Sequence, residues 1–268
     1  MRLLRLILPL LGAFVAAAAV AAPAPTIAGV DVEGTRFRVT MTDGQMRHSD
    51  KLVGAVLTMG LDGRLVRVRI DSVTPDPRAS ARDVWLHTLS MQMPDGSWRN
   101  PCKADPDGKH FAFPIAGRTT DGVLRAAEPG RFELVCSAGA QGKCARFGYL
   151  PWSVGADGKP LVDTYNACVR LFRGDYGGRD EPLTNNGMLI DFYDLQGIQN
   201  SDADPVLVFE AGWGPDGAVC VHHPRVKENV TLEQLEARYP QLRGRTGAIC
   251  TEEFARAHGA LVFNHSRP

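Results

Sequence analysis

The chain has 268 residues, with 30 basic and 30 acidic side chains. Hydrophobic content of 44% and charged content of 22% exclude a disordered or collagen-like chain. Neutral balance, the absence of a basic stripe and an aromatic content of 7% argue against a nucleic-acid partner.

The first residues read as a targeting segment. Arg2 and Arg5 precede an apolar run over residues 6–20, and Ala19-Val20-Ala21 fits a small-x-small cleavage site. The expected product of a Sec-type signal peptide (residues 1–21) is a periplasmic or extracellular chain starting at Ala22. The run is short for a membrane span, no second apolar stretch follows, and no cysteine near the cut offers a lipid anchor.

Residues 22–127 read as a β-rich N-terminal domain. Asp-Gly pairs at Asp43-Gly44, Asp62-Gly63, Asp95-Gly96, Asp107-Gly108 and Asp121-Gly122 suit tight turns. Between them, residues 37–41 and 65–70 alternate apolar and polar, as strands with one buried face do. This predicts an antiparallel sandwich or barrel. Residues 74–82, with two prolines, read as a polar loop.

Glu128-Pro129-Gly130 marks a boundary, and residues 128–268 read as α+β. After an apolar run at residues 132–135, Asp163 is placed to cap a helix carrying Tyr165, Cys168, Val169 and Phe172 on one face, stopped by Gly174. Residues 188–192, 206–209 and 260–263 read as strands. Thr231-Leu232-Glu233-Gln234 is a capping box, and Thr251 caps a shorter helix. Asp216-Gly217 reads as a hairpin turn. The formal Gly-x-Gly-x-x-Gly at Gly212, Gly214 and Gly217 is followed by Pro215 and a β-like run rather than by a helix, so it predicts no dinucleotide site.

Six cysteines in the exported part read as three disulfides. Loop geometry favours Cys136 with Cys144, which flank a Gly-rich segment, and Cys220 with Cys250, which enclose a helix. Elimination leaves Cys102 with Cys168, tying the two halves.

Several short motifs occur in order: Gln141-Gly142-Lys143-Cys144, Gly148-Tyr149-Leu150-Pro151-Trp152, Ala167-Cys168-Val169-Arg170 and Arg173-Gly174-Asp175-Tyr176-Gly177-Gly178. Together they resemble the ADYC domain of exported bacterial proteins, a family without an assigned activity. The resemblance implies export and a fold context rather than a chemistry. At the naming motif the family reads Ala-Asp-Tyr-Cys, whereas this chain reads Gly174-Asp175-Tyr176-Gly177.

The candidate binding residues are Arg173, Asp175, Tyr176, Trp213 and His222. Two readings of the first three stand side by side. They line an anion or carbohydrate pocket that the glycines open to a ligand, or they form a buried turn in which Asp175 accepts backbone N–H bonds, Arg173 neutralises it and Tyr176 packs. Asp191, Asp194 and Glu210 lack the neighbours of an acid/base pair or a calcium loop. His222 and His223, adjacent on a strand, face opposite ways and cannot easily share a metal. The sequence thus calls for no metal and no cofactor. It fits a disulfide-stapled ligand-binding or structural module whose partner is an envelope glycan, a small ligand or another exported protein. The alternative is a hydrolase using Asp175 or Glu210 with His222.

Overall fold

The computed structural model describes residues 24–61, 63–78, 83–126 and 128–268. The expected leader and its cleavage point lie outside these residues. The chain begins with β1 (Ile27–Glu33), β2 (Arg36–Met41) and β3 (Met46–His48), an antiparallel three-stranded sheet. Next come β4 (Val56–Leu61), β5 (Arg64–Pro75), β6 (Trp85–Gln92), β7 (Trp98–Arg99) and β8 (Phe111–Ala116). A ribbon of β9 (Arg118–Thr120) and β10 (Val123–Arg125) precedes β11 (Phe132–Cys136). The second sheet has the order β11-β8-β6-β5-β4, with β7 on β6, so it recruits a strand from beyond Glu128.

Alternation in the sequence becomes two-sidedness here. On one face of the large sheet, Val68, Ile70, Leu89 and Ala112 pack against Phe37, Val39 and Met41 of β2. His87 shares this core. It meets Phe37 edge-on at 5.4 Å, and burial pushes its pKa down to about 4, so it is neutral at physiological pH. The opposite face presents Leu86, Phe113, Ile115 and Val135 to the helices α1 (Ala140–Arg146) and α2 (Val162–Arg173). The large sheet is therefore a middle layer. β5 also runs further than expected, through Thr74 and Pro75, which pair with Leu86 and Trp85.

α2 is the central pin. All eight of residues 164–171 are buried. One side of the helix joins the core just described. The other, with Ala167 and Leu171, packs on a second antiparallel sheet of β12 (Ile190–Asp194), β13 (Val208–Gly214), β14 (Gly217–Val221) and β15 (Val262–Ser266), ordered β12-β15-β13-β14. α2 starts two residues earlier than Asp163 suggested. Leu161 is its N-cap, without a side-chain cap, and Asp163 sits in the first turn, where a negative charge meets the positive helix end.

α3 (Leu232–Arg238) opens on the expected capping box between Thr231 and Gln234, and α4 (Glu252–Ala257) on Thr251. The fold is α+β: among the described residues, mostly antiparallel strands in several sheets with four short α-helices. Among the described residues no helix is long and apolar enough to cross a membrane.

Three disulfides close the structure: Cys102–Cys136, Cys144–Cys168 and Cys220–Cys250. The last matches the loop-geometry expectation. The other two replace the expected Cys136–Cys144 and Cys102–Cys168. The segment between Cys136 and Cys144 does not double back as a loop; it winds into α1. Cys136 lies opposite Ala112, on the sheet face turned to β1–β3. Cys144 faces the helix-side core. Eight residues apart in sequence, the two cysteines belong to opposite sides of one sheet.

Candidate functional site

α2 ends at Gly174, whose left-handed φ of 59° turns the chain sharply. The turn sends Asp175 inward. The Asp175 carboxylate accepts the backbone N–H groups of Arg179 (3.1 Å) and Asp180 (2.9 Å) and pairs with the Arg170 guanidinium. Arg170 also donates to the Asp121 carbonyl (2.6 Å) and the Pro215 carbonyl (3.0 Å). One buried guanidinium thus ties the β9–β10 turn, the end of α2 and the β13–β14 hairpin together.

Tyr176 stacks on Trp213 with ring centroids 5.1 Å apart. Its hydroxyl donates to Glu210 Oε1 (2.8 Å) and accepts the Arg225 backbone N–H (3.1 Å). Arg225 grips the same Glu210 oxygen through Nε (2.9 Å) and Nη2 (2.8 Å). Asn264 closes the circuit, donating to Glu210 Oε2 (2.7 Å) and accepting the Trp213 indole N–H (2.7 Å). Burial, then the Glu210 charge, holds the Tyr176 phenol protonated far above its usual range. Burial alone would lower the pKa of Arg225, but Glu210 and Tyr176 more than offset it and leave it raised.

Three of the five candidate binding residues, Asp175, Tyr176 and Trp213, are therefore interior, each with 0% exposure, with Tyr176 stacked on Trp213 and Asp175 paired to Arg170. The other two stand apart. Arg173 is half-buried and pairs with Asp180 (2.9 Å), so Arg170 and not Arg173 neutralises Asp175. His222 is half-buried, and its backbone N–H bonds the Glu210 carbonyl (2.7 Å). His223 is buried against the Ser266 hydroxyl (3.1 Å), and burial lowers its pKa. The sequence reading missed Arg170, Arg225 and Asn264. Arg170 stands in a motif that carries the ADYC resemblance, which was the one available signal for it.

The remaining carboxylates are also committed to structure. Asp194 accepts the Tyr149 hydroxyl (2.8 Å) and the N–H groups of Gln196, Ile198 and Gln199. Asp191 accepts the Ser201 hydroxyl (2.5 Å) and the Asp202 N–H (3.1 Å). A general acid or base must reach the substrate proton, and neither Asp175 nor Glu210 presents a free edge to solvent. The Gly-x-Gly-x-x-Gly segment is the β13–β14 hairpin, with no helix opening on it. Among the described residues no group of three His, Cys, Asp or Glu side chains converges as a metal site.

The glycines of the turn serve close packing. A Cβ on Gly178 would lie 1.8 Å from the Asp216 carbonyl oxygen, and one on Gly177 would lie 2.1 Å from the Tyr239 ring. Tyr239 is buried and donates to Glu181 (2.6 Å), so it fills the space beside Gly177. Gly177→Cys is expected to lower stability by about 1–3 kcal/mol through overpacking. Thermal unfolding of Gly177→Cys with and without Tyr239→Ala checks this: the second change must recover part of the loss.

Neither a comparison with curated proteins nor one with solved structures finds a match. The ADYC domain profile matches residues 49–227, which takes in α2, the Gly174–Gly178 turn, Trp213 and Arg225 as well as the large sheet from β4 onward. The chain belongs to the ADYC domain family, and three disulfides stabilise it.

Proposed function

We propose that this chain is an exported, periplasmic or extracellular module that binds a ligand or partner, and that its Gly174–Gly178 turn is a folding device rather than a catalytic centre. The complete burial of Asp175 and Glu210, each paired to a buried arginine, carries this reading. A hydrolase acting through either carboxylate would need it at a surface open to substrate. Oxidation of all six cysteines supports an address outside the cytosol. The partner classes that suit such a module remain an envelope glycan, a small ligand or an exported protein.

Asp175→Asn separates the two roles. Asn keeps one acceptor oxygen but loses the charge facing Arg170, so stability is expected to fall by about 3–5 kcal/mol, as when one partner of a buried ion pair is removed. A chain that hydrolysed esters or glycosides, lost turnover on Asp175→Asn and kept its melting temperature would overturn the reading. Export has its own check: N-terminal sequencing of secreted material is expected to start at Ala22, and a start at Met1 would contradict it.

A further inference from the structure

The face of the large sheet that packs against β1–β3 is only partly covered by them, and the remainder holds a groove of about 860 Å³. Its floor is apolar: Met59 and Val66 at the β4–β5 end, Met91 in the middle, Phe132 and Leu134 on β11, all half-buried. Its rim at the β11 end carries two exposed arginines, Arg118 and Arg131.

The charge at this rim is one-sided. Arg118 has no carboxylate within ion-pair distance among the described residues, and Arg131 has only the exposed Glu128 at 3.9 Å. Glu133 contributes to the lining, but its carboxylate is turned to the other face of β11, where it accepts the Thr119 N–H and hydroxyl and the Gln141 amide. The groove crosses the sheet from β4 to β11. That is four strand spacings, about 19 Å. One end therefore offers desolvation to hydrocarbon, and the other offers guanidinium donors to an anion.

We propose that this groove binds a single-chain amphiphile with an anionic head, such as a long-chain carboxylate, its tail along the methionine floor and its head at Arg118 and Arg131. Charge complementarity selects this occupant. A glycan would need polar partners along the floor, and a β-strand peptide would pair alongside an open edge of β4 or β11 rather than lie across the sheet, where the floor is made of side chains. The inference rests on the reading of the chain as a binding module and names its ligand class.

The test uses the exported chain, purified without detergent and with disulfides intact. Hexadecanoate is titrated below its aggregation limit, with displacement of a dansyl-labelled undecanoate as readout. Saturable binding at one site is expected. From decanoate to hexadecanoate each added methylene tightens binding by up to about fourfold. Arg118→Glu weakens hexadecanoate binding about tenfold or more and abolishes its advantage over hexadecanol, with the melting temperature unchanged because Arg118 is exposed. Met91→Glu removes binding of both, and its folding is verified by the unfolding midpoint. The proposal fails if a natively melting chain takes up no hexadecanoate, if hexadecanol binds equally well, if binding occurs only to vesicles, or if folded Met91→Glu binds as before. Binding of a glycan with none of hexadecanoate sinks the groove assignment and leaves the module reading standing. Substrate turnover lost on Asp175→Asn at unchanged melting temperature sinks both.

Discussion

A chain carrying Glu210→Gln unfolds at a lower urea midpoint, by a shift worth about 3–5 kcal/mol, the range seen when one partner of a buried ion pair is removed. Glu210 has 0% exposure, and its Oε1 accepts three donors: the Tyr176 hydroxyl and two guanidinium nitrogens of Arg225. Gln is nearly isosteric. It leaves the Arg225 charge uncompensated and turns an N–H₂ group toward either those donors or Asn264 Nδ2, itself a donor. Urea unfolding at constant m-value measures the change. A loss below about 1 kcal/mol would falsify the claim that this network holds α2, the Gly174 turn and the four-stranded sheet together. Replacing both Glu210 and Arg225 with Met tests the same point from the other side. The double change is expected to cost less than Glu210→Gln alone, because no buried charge is left unpaired.

The second large effect belongs to Cys144–Cys168, which staples α1 to α2. The bridge closes a loop of 24 residues' separation with a Cα–Cα distance of 5.9 Å, ordinary for a disulfide. A loop of that size is worth about 3–4 kcal/mol in the chain-entropy account. Replacing both cysteines with alanine is expected to lower stability by that amount and to leave the m-value larger, because the unfolded chain expands. Peptide mapping under non-reducing conditions checks the connectivity directly. A fragment joining Cys136 to Cys144 contradicts the structure, and one joining Cys144 to Cys168 supports it.

Much of the strand content was legible residue by residue. Phe37, Val39 and Met41 alternate with Arg38 and Thr40, and the first three are the buried ones. Val68 and Ile70 behave likewise between Arg67 and Arg69. At Asp121-Gly122, φ values of 50° and 73° give the turn its left-handed backbone, which the Asp-Gly pair tolerates. Such features are local, set by periodicity and by what a backbone position permits. The capping box of α3 is local in the same sense, since Thr231 and Gln234 satisfy each other within one turn.

The site was legible only in part. That Asp175 is buried and accepts backbone N–H groups was one of the two readings that a carboxylate beside glycines at a helix end allows, and burial decides between them. Its ionic partner was not legible there. Arg173 is nearer in sequence, but Gly174 reverses the chain and leaves Arg173 pointing to Asp180, while Arg170, one turn back on α2, faces inward. Tyr176 meets Glu210 and Arg225 across 34 and 49 residues of sequence, and Asn264 meets Glu210 across 54. No local pattern encodes such a meeting.

By itself the sequence determined the export-like leader pattern, the alternating strands, the helix caps, the α+β class and the count of cysteines available for bridges, because each depends on neighbours within a turn or a strand. Only the tertiary structure decided which cysteines pair, which arginine neutralises Asp175, and that Glu210 is walled in rather than displayed. Those outcomes depend on which face of a sheet or helix each side chain occupies and on what packs against that face. The large sheet sends Cys136 to one side and leaves Cys144 on the other, and that placement overrides their closeness in sequence.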